Sequence, residues 1–157
     1  MLTTKPIALI TGASSGIGHS LCEEFAKDGY DLILAARSVE KMHIQGEALQ
    51  KRYGIHVTVI GADLESLTGA EELHAQIKES GVVLNALVNN AGYGTFGEFK
   101  DTALSATLGM MQLNINSVVV LTKLFLPDLL STKGKLLNVA STAAFQPGWT
   151  QIVQINI

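Results

Sequence analysis

The sequence predicts an α/β protein: a doubly wound parallel sheet with helices on both faces, ending after about five strands. Three observations carry this. Short apolar runs alternate with stretches of helical period along most of the chain. The runs lack polar alternation, so they suit strands covered on both faces. Glycine makes up 15 of 157 residues, above its usual share of about 7%, which fits tight turns between buried strands.

The expected strands are Pro6–Thr11, Asp31–Ala36, Ile55–Gly61, Asn85–Asn89 and Lys135–Ala140, each bounded by Gly, Asp, Asn or Ser. Helical spacing fills the gaps. Ile17, Leu21 and Phe25 recur every four residues, and Gly29 follows as a helix-ending C′ residue. Val39, Met42, Gly46, Leu49 and Tyr53 keep one face of a second helix ahead of Gly54. Ala70, Leu73 and Ile77 do so in a third, ahead of Gly81. The longest helical stretch runs from about Leu104 to Leu130, and Pro127 is expected to close it early. Strands alternating with helices build βαβ units, whose right-handed crossovers place helices on both faces. No repeat, low-complexity tract or interdomain linker interrupts the pattern.

Composition excludes several function classes. Apolar residues are 47% of the chain and charged residues 16%, too apolar for a disordered segment. The net charge of −3 leaves no basic footprint for nucleic acid. One Cys rules out an internal disulfide framework and a Cys-rich metal site. Only four apolar residues, Ile7 to Ile10, follow the N-terminal Lys5-Pro6, too few for a signal peptide. The most apolar region, Val118 to Leu130, is broken by Lys123, Pro127 and Asp128, whereas a membrane span needs about 20 predominantly apolar residues. The expectation is a cytoplasmic protein with a reduced thiol and no membrane partner.

The first strand runs directly into Thr11-Gly12-Ala13-Ser14-Ser15-Gly16-Ile17-Gly18, and a helix follows. A glycine loop in that context brings backbone N–H groups and a helix N-terminus to one point, an anion site suited to a pyrophosphate. Gly12 permits the tight turn, Gly16 lets the backbone approach phosphate, and Gly18 lets the helix pack closely on the sheet. The alternative is a turn whose glycines serve geometry only. Gly12 to Gly16 also fits G-x-S-x-G, a hydrolase nucleophile elbow with Ser14 as nucleophile. That reading needs a later His, and His19, His43, His56 and His74 all fall in the first half of the chain.

Further landmarks follow in order. Asp63 and Leu64 lie just past the third strand, and Asn89-Asn90-Ala91-Gly92 follows the fourth. Asn114 lies in the long helix, and Ser141 follows the fifth strand. With the T-G-x-x-x-G-x-G loop, this set resembles a classical short-chain dehydrogenase/reductase, over about residue 6 to Gly148. The resemblance implies a Rossmann-type dinucleotide domain and hydride transfer between a nicotinamide cofactor and a carbonyl or secondary alcohol. It assigns cofactor contacts to Gly12, Ser14, Ser15, Gly16, Ile17, Gly18, Asp63, Leu64, Asn90, Ala91 and Gly92. Asn114 and Ser141 match the family's catalytic Asn and Ser.

The choice of dinucleotide is read at the end of the second strand. An acid there would hold the ribose 2′-OH of NAD. The chain has Ala36 and then Arg37, with Asp31 at the wrong end. A guanidinium can grip a 2′-phosphate bidentately, and the resemblance also pairs Arg in this position with NADP(H). The bland reading of Arg37 is a solvated residue opening the next helix.

The family's catalytic pair, Tyr-x-x-x-Lys, is expected near Gln154, but the tyrosines are Tyr30, Tyr53 and Tyr93 and the last lysine is Lys135. Residues 149–157 resemble nothing in the family. The expectation is therefore a dinucleotide-binding domain over residues 1–148 with an aberrant tail, truncated before the pair and catalytically impaired. The competing reading is an inactive dinucleotide-binding remnant. Intact members form homo-oligomers through helices near this region, part of which is absent here. Cys22 is read as a small buried apolar residue. The histidines lack metal-ligand spacing. Tyr93 and Phe96 stand either at a substrate mouth or in loop packing.

Overall fold

The computed structural model describes residues 5–95 and 97–141. The expectations for Phe96 and for residues 142–157 lie outside that range. Strands β1 (Ile7–Thr11), β2 (Asp31–Ala36), β3 (Val57–Gly61), β4 (Ala86–Asn89) and β5 (Lys135–Asn138) form one sheet in the order β3-β2-β1-β4-β5. Every neighbouring pair is parallel, with Ala8 opposite Leu32 on one side and Ala86 on the other. The chain winds outward from β1 through β2 to β3, then returns to lay β4 on the other side of β1. That reversal opens a crevice beyond the carboxyl ends of β1 and β4.

Helices α1 (Gly16–Lys27) and α2 (Val39–Tyr53) cover one face, and α3 (Gly69–Glu79) with the helical stretch Leu104–Thr132 covers the other. Alternation within each strand divides the core. Ala8, Ile10, Leu32, Leu34, Ala86 and Val88 meet Cys22, Ala26, Met42 and Leu49. Leu9, Ile33 and Leu87 meet Leu73, Ile77, Leu121 and Phe125. Strands β1, β2 and β4 are buried on both faces, as their apolar runs predict. The outer strands are not: β3 is half-buried, and Leu136 and Leu137 on β5 are 44% and 39% exposed.

The expected face of α1 is displaced by one residue. Gly18, Cys22 and Ala26 face the sheet, Leu21 and Phe25 flank it, and Ile17 is 60% exposed. The small residues win the inner face because they bring the helix axis close to β1. Burial pushes the Cys22 thiol up to about 12, despite hydrogen bonding that favours the thiolate. Helices α1, α2 and α3 are followed by the expected glycines, Gly29, Gly54 and Gly81, all at positive φ.

Pro127 does not close the long helix. Helix α4 (Leu104–Met111) passes through a wide π-turn, Gln112–Asn116, into α5 (Ser117–Thr132), which carries Pro127 inside it. Proline removes one backbone donor, but side chains on either side pin the helix. Phe125 and Leu129 are buried. Asp128 accepts from Lys78 Nζ at 2.9 Å and from the Leu84 amide at 3.1 Å. By length and mean hydropathy (1.4) the Leu104–Thr132 stretch could cross a bilayer. In this fold Leu121, Phe125 and Leu129 bury its inner face against the sheet and α3.

Candidate cofactor and active site

A cavity of about 550 Å³ opens where β1 and β4 end side by side. Its floor is two loops tied together. Thr11, at the end of β1, is buried. Its hydroxyl donates to the Val88 carbonyl at 3.2 Å and accepts from the Asn90 and Ala91 amides, each at 3.0 Å. In return the Asn90 side-chain amide donates to the Thr11 carbonyl at 2.9 Å and the Gly12 carbonyl at 3.3 Å. Gly12 turns at φ +65°, and its amide donates to the Ala35 carbonyl at 2.8 Å. A side chain at Gly12 would strike Asn90 and Ala91, and one at Gly18 would strike the Gly12 carbonyl. Both glycines are therefore required by contact.

This bracing makes Thr11 a point of failure. Thr11→Val keeps the shape and leaves two amides without their acceptor. The expected loss is about 1–3 kcal/mol, seen as a lower urea midpoint at unchanged slope. An unchanged midpoint would show that the hydroxyl is replaceable by water.

Ser14, Ser15, Gly16 and Ile17 line the cavity at the start of α1. No acid stands in the first turn, and the Ser15 side chain does not cap it. The helix thus presents an uncompensated N-terminus to the cavity, suited to an anion. Gly18 is placed differently: it is buried under the loop, outside the lining, where it serves packing.

Arg37 leaves β2 at the far end of the same cavity, joined by Ser38 and Lys41 from the start of α2. In the sequence no acid stands at this turn. The structure brings one from another segment: Glu65, after β3, places Oε2 3.7 Å from the Arg37 guanidinium. Asp63 and Leu64 line the cavity, and Asp63 Oδ1 accepts from the Glu65 amide at 3.1 Å.

On the β4 and β5 side are Asn90, Ala91, Gly92 and the Tyr93 backbone, with Ser141 beyond β5, while the Tyr93 side chain reaches back toward Glu65. Ser141 is held near β4 because the Val139 amide donates to the Asn89 carbonyl at 2.9 Å and Asn89 Nδ2 donates to Asn138 Oδ1 at 2.9 Å. Asn114 sits in the π-turn, buried and outside the cavity lining. It clamps the loop backbone: Oδ1 accepts from the Tyr93 amide at 3.2 Å, and Nδ2 donates to the Tyr93 carbonyl at 2.9 Å. The Tyr93 hydroxyl donates to Glu65 Oε1 at 3.3 Å. Burial and the Glu65 charge push its pKa upward.

Sequence reasoning missed Ser38, Lys41 and Glu65, and assigned Thr11 no role. Lys41 carries a signal in the sequence, a cation in the first turn of the helix that opens just after Arg37. Glu65 carried no local signal, because its partners lie on distant segments. None of the four histidines lines the cavity beside Ser14, which removes the geometric basis of the hydrolase reading.

The sheet order, the switch-point cavity and the glycine loop define a Rossmann-type α/β domain. The short chain dehydrogenase family model matches residues 6–153, and the chain belongs to that family of oxidoreductases. It is 32% identical over 150 residues to very-long-chain 3-oxoacyl-CoA reductase-B of Danio rerio, covering 89% of this chain and 46% of the relative. It is 34% identical over 147 residues to 17-beta-hydroxysteroid dehydrogenase type 3 of Mus musculus, with the same coverages of 89% and 46%. The chain thus spans about half the length of these curated relatives. Among solved structures it resembles the alcohol dehydrogenase of Thermococcus sibiricus complexed with 5-hydroxy-NADP. The TM-score is 0.86 at 30% identity, over 92% of this chain and 62% of that one. It also resembles L-sorbose reductase of Gluconobacter frateurii complexed with NADPH and L-sorbose. There the TM-score is 0.85 at 30% identity, over 93% and 56%.

Proposed function

We propose that this chain provides the NADP(H)-binding half of a cytoplasmic short-chain oxidoreductase acting on a small-molecule carbonyl or secondary alcohol. The observation that carries the reading is one cavity with an uncapped helix N-terminus in its middle and Arg37 at its end. The residues present fit a 2′-phosphorylated dinucleotide. The backbone at Gly12 and Gly16 and the start of α1 offer donors to a pyrophosphate. Arg37, with Ser38 and Lys41, offers cations and a hydroxyl to a 2′-phosphate. Asp63 and Leu64 border the space between. When bound, the nicotinamide supplies or accepts the hydride.

This chain's own residues bind and orient. Ser141 stands at the cavity end opposite Arg37, where it can hydrogen-bond a substrate oxygen. Asn114 acts as a positioning residue, fixing the Gly92–Tyr93 backbone that borders that end. Neither delivers a proton near neutral pH. Equilibrium titration of the 157-residue chain with NADPH and NADH tests the reading. NADPH is expected to bind about ten-fold more tightly, the size of one charge-assisted hydrogen bond. Equal affinities would overturn the assignment of Arg37.

A further inference from the structure

We infer that Glu65 is a determinant of cofactor specificity: its carboxylate sits on the Arg37 guanidinium and opposes an incoming 2′-phosphate. It thereby holds the preference for 2′-phosphorylated nucleotides below what Arg37 alone would give. The inference rests on the proposed role of Arg37 and adds a second residue to it.

Four observations place the carboxylate. Glu65 Oε2 lies 3.7 Å from Arg37, and both residues line the same cavity. The other oxygen, Oε1, accepts from the Tyr93 hydroxyl at 3.3 Å. The Glu65 backbone is fixed by Asp63 Oδ1, which accepts from its amide at 3.1 Å. Helix α4 backs it closely, since any side chain in place of Gly109 would collide with the Glu65 carboxylate. The acid is therefore held at Arg37 from the side of α4.

Charge then decides the effect. This end of the cavity carries two cations, Arg37 and Lys41, and two carboxylates, Asp63 and Glu65. A 2′-phosphate meets no net positive charge there. It must separate Arg37 from Glu65 and then lie near a fixed negative charge. A nucleotide lacking the 2′-phosphate does neither, so Glu65 weakens one class and leaves the other alone.

The test measures dissociation constants of 2′,5′-ADP and ADP for the full 157-residue chain at low salt, with folding checked by thermal midpoint. Glu65→Gln is expected to bind 2′,5′-ADP about five-fold more tightly, the size of one screened charge interaction near a surface. ADP affinity should stay within about two-fold. Glu65→Ala needs no seat against Gly109 and should shift the ratio the same way if the amide does not fit. Arg37→Met runs in parallel. If it abolishes the 2′,5′-ADP preference while neither Glu65 variant alters it, the inference falls and the Arg37 reading stands. If no variant, Arg37→Met included, changes the ratio, the Arg37 reading itself falls. Equal tightening of both nucleotides by the Glu65 variants would also overturn the inference, since the effect would then not be directed at the 2′-phosphate.

Discussion

Purified residues 1–157 are expected to bind NADPH yet to consume it with a panel of carbonyl compounds at least about 100-fold more slowly than a chain extended through a Tyr-x-x-x-Lys helix. General acid–base catalysis typically contributes about 10²–10⁴-fold, so removing the acid alone gives a loss of that size. Among the described residues each tyrosine is engaged elsewhere or poorly suited to the role. Tyr30 stacks edge-on against Phe25 with ring centroids 5.1 Å apart, and the Tyr53 hydroxyl donates to Glu23 at 2.8 Å. Neither lines the cavity. Tyr93 does, but its environment runs opposite to that of a catalytic acid. Burial and the neighbouring Glu65 carboxylate raise its pKa, and its hydroxyl is engaged with Glu65 and the Ala106 carbonyl. A proton is harder to remove there. Steady-state NADPH consumption by the two chains decides the matter. Comparable rates would defeat the prediction. Tyr93→Phe in the shorter chain is expected to leave any residual rate unchanged, and a further fall would show that Tyr93 carries it.

Some of this site was readable residue by residue. The glycine loop, Arg37 and Asp63 lie at the ends of their own strands, so chain order alone brings them to one edge of a parallel sheet. Ser141 follows by the same logic after β5. The failures share a different cause. The inner face of α1 went to Gly18, Cys22 and Ala26 because closeness to the sheet selects small residues, whereas a search for apolar period selects large ones. Pro127 lies inside a helix because Asp128, Phe125 and Leu129 anchor it to α3 and the sheet, contacts that no local rule contains. Glu65 and the hydroxyl of Thr11 act across segments distant in sequence. The interior strands obeyed the expected two-sided burial. Strands β3 and β5 did not, because among the described residues they stand at the two ends of the sheet order, a position the apolar runs do not encode.

Substituting Arg37→Asp is expected to reverse the nucleotide preference, with NADH then binding more tightly than NADPH. A clamp on a 2′-phosphate rests on charge-assisted hydrogen bonds of roughly 1.5–3 kcal/mol each. Losing one weakens NADPH by about ten-fold or more, and losing two by about 100-fold. The aspartate adds repulsion toward the phosphate, while toward the unmodified ribose it offers the acceptor that a 2′-OH seeks. The fold should tolerate the change. The Arg37 side chain is 68% exposed and its ion pair with Glu65 spans 3.7 Å, and exposed pairs of this kind contribute about 0–1 kcal/mol. The new carboxylate does face Glu65, and that like-charge contact limits the gain in NADH affinity below the loss in NADPH affinity. The double variant Arg37→Asp with Glu65→Gln relieves it and is expected to recover further NADH binding. Titration of both nucleotides against the wild type, the single variant and the double variant gives the answer. A single variant that still prefers NADPH would mean that Ser38 and Lys41, rather than Arg37, carry the recognition of the 2′-phosphate.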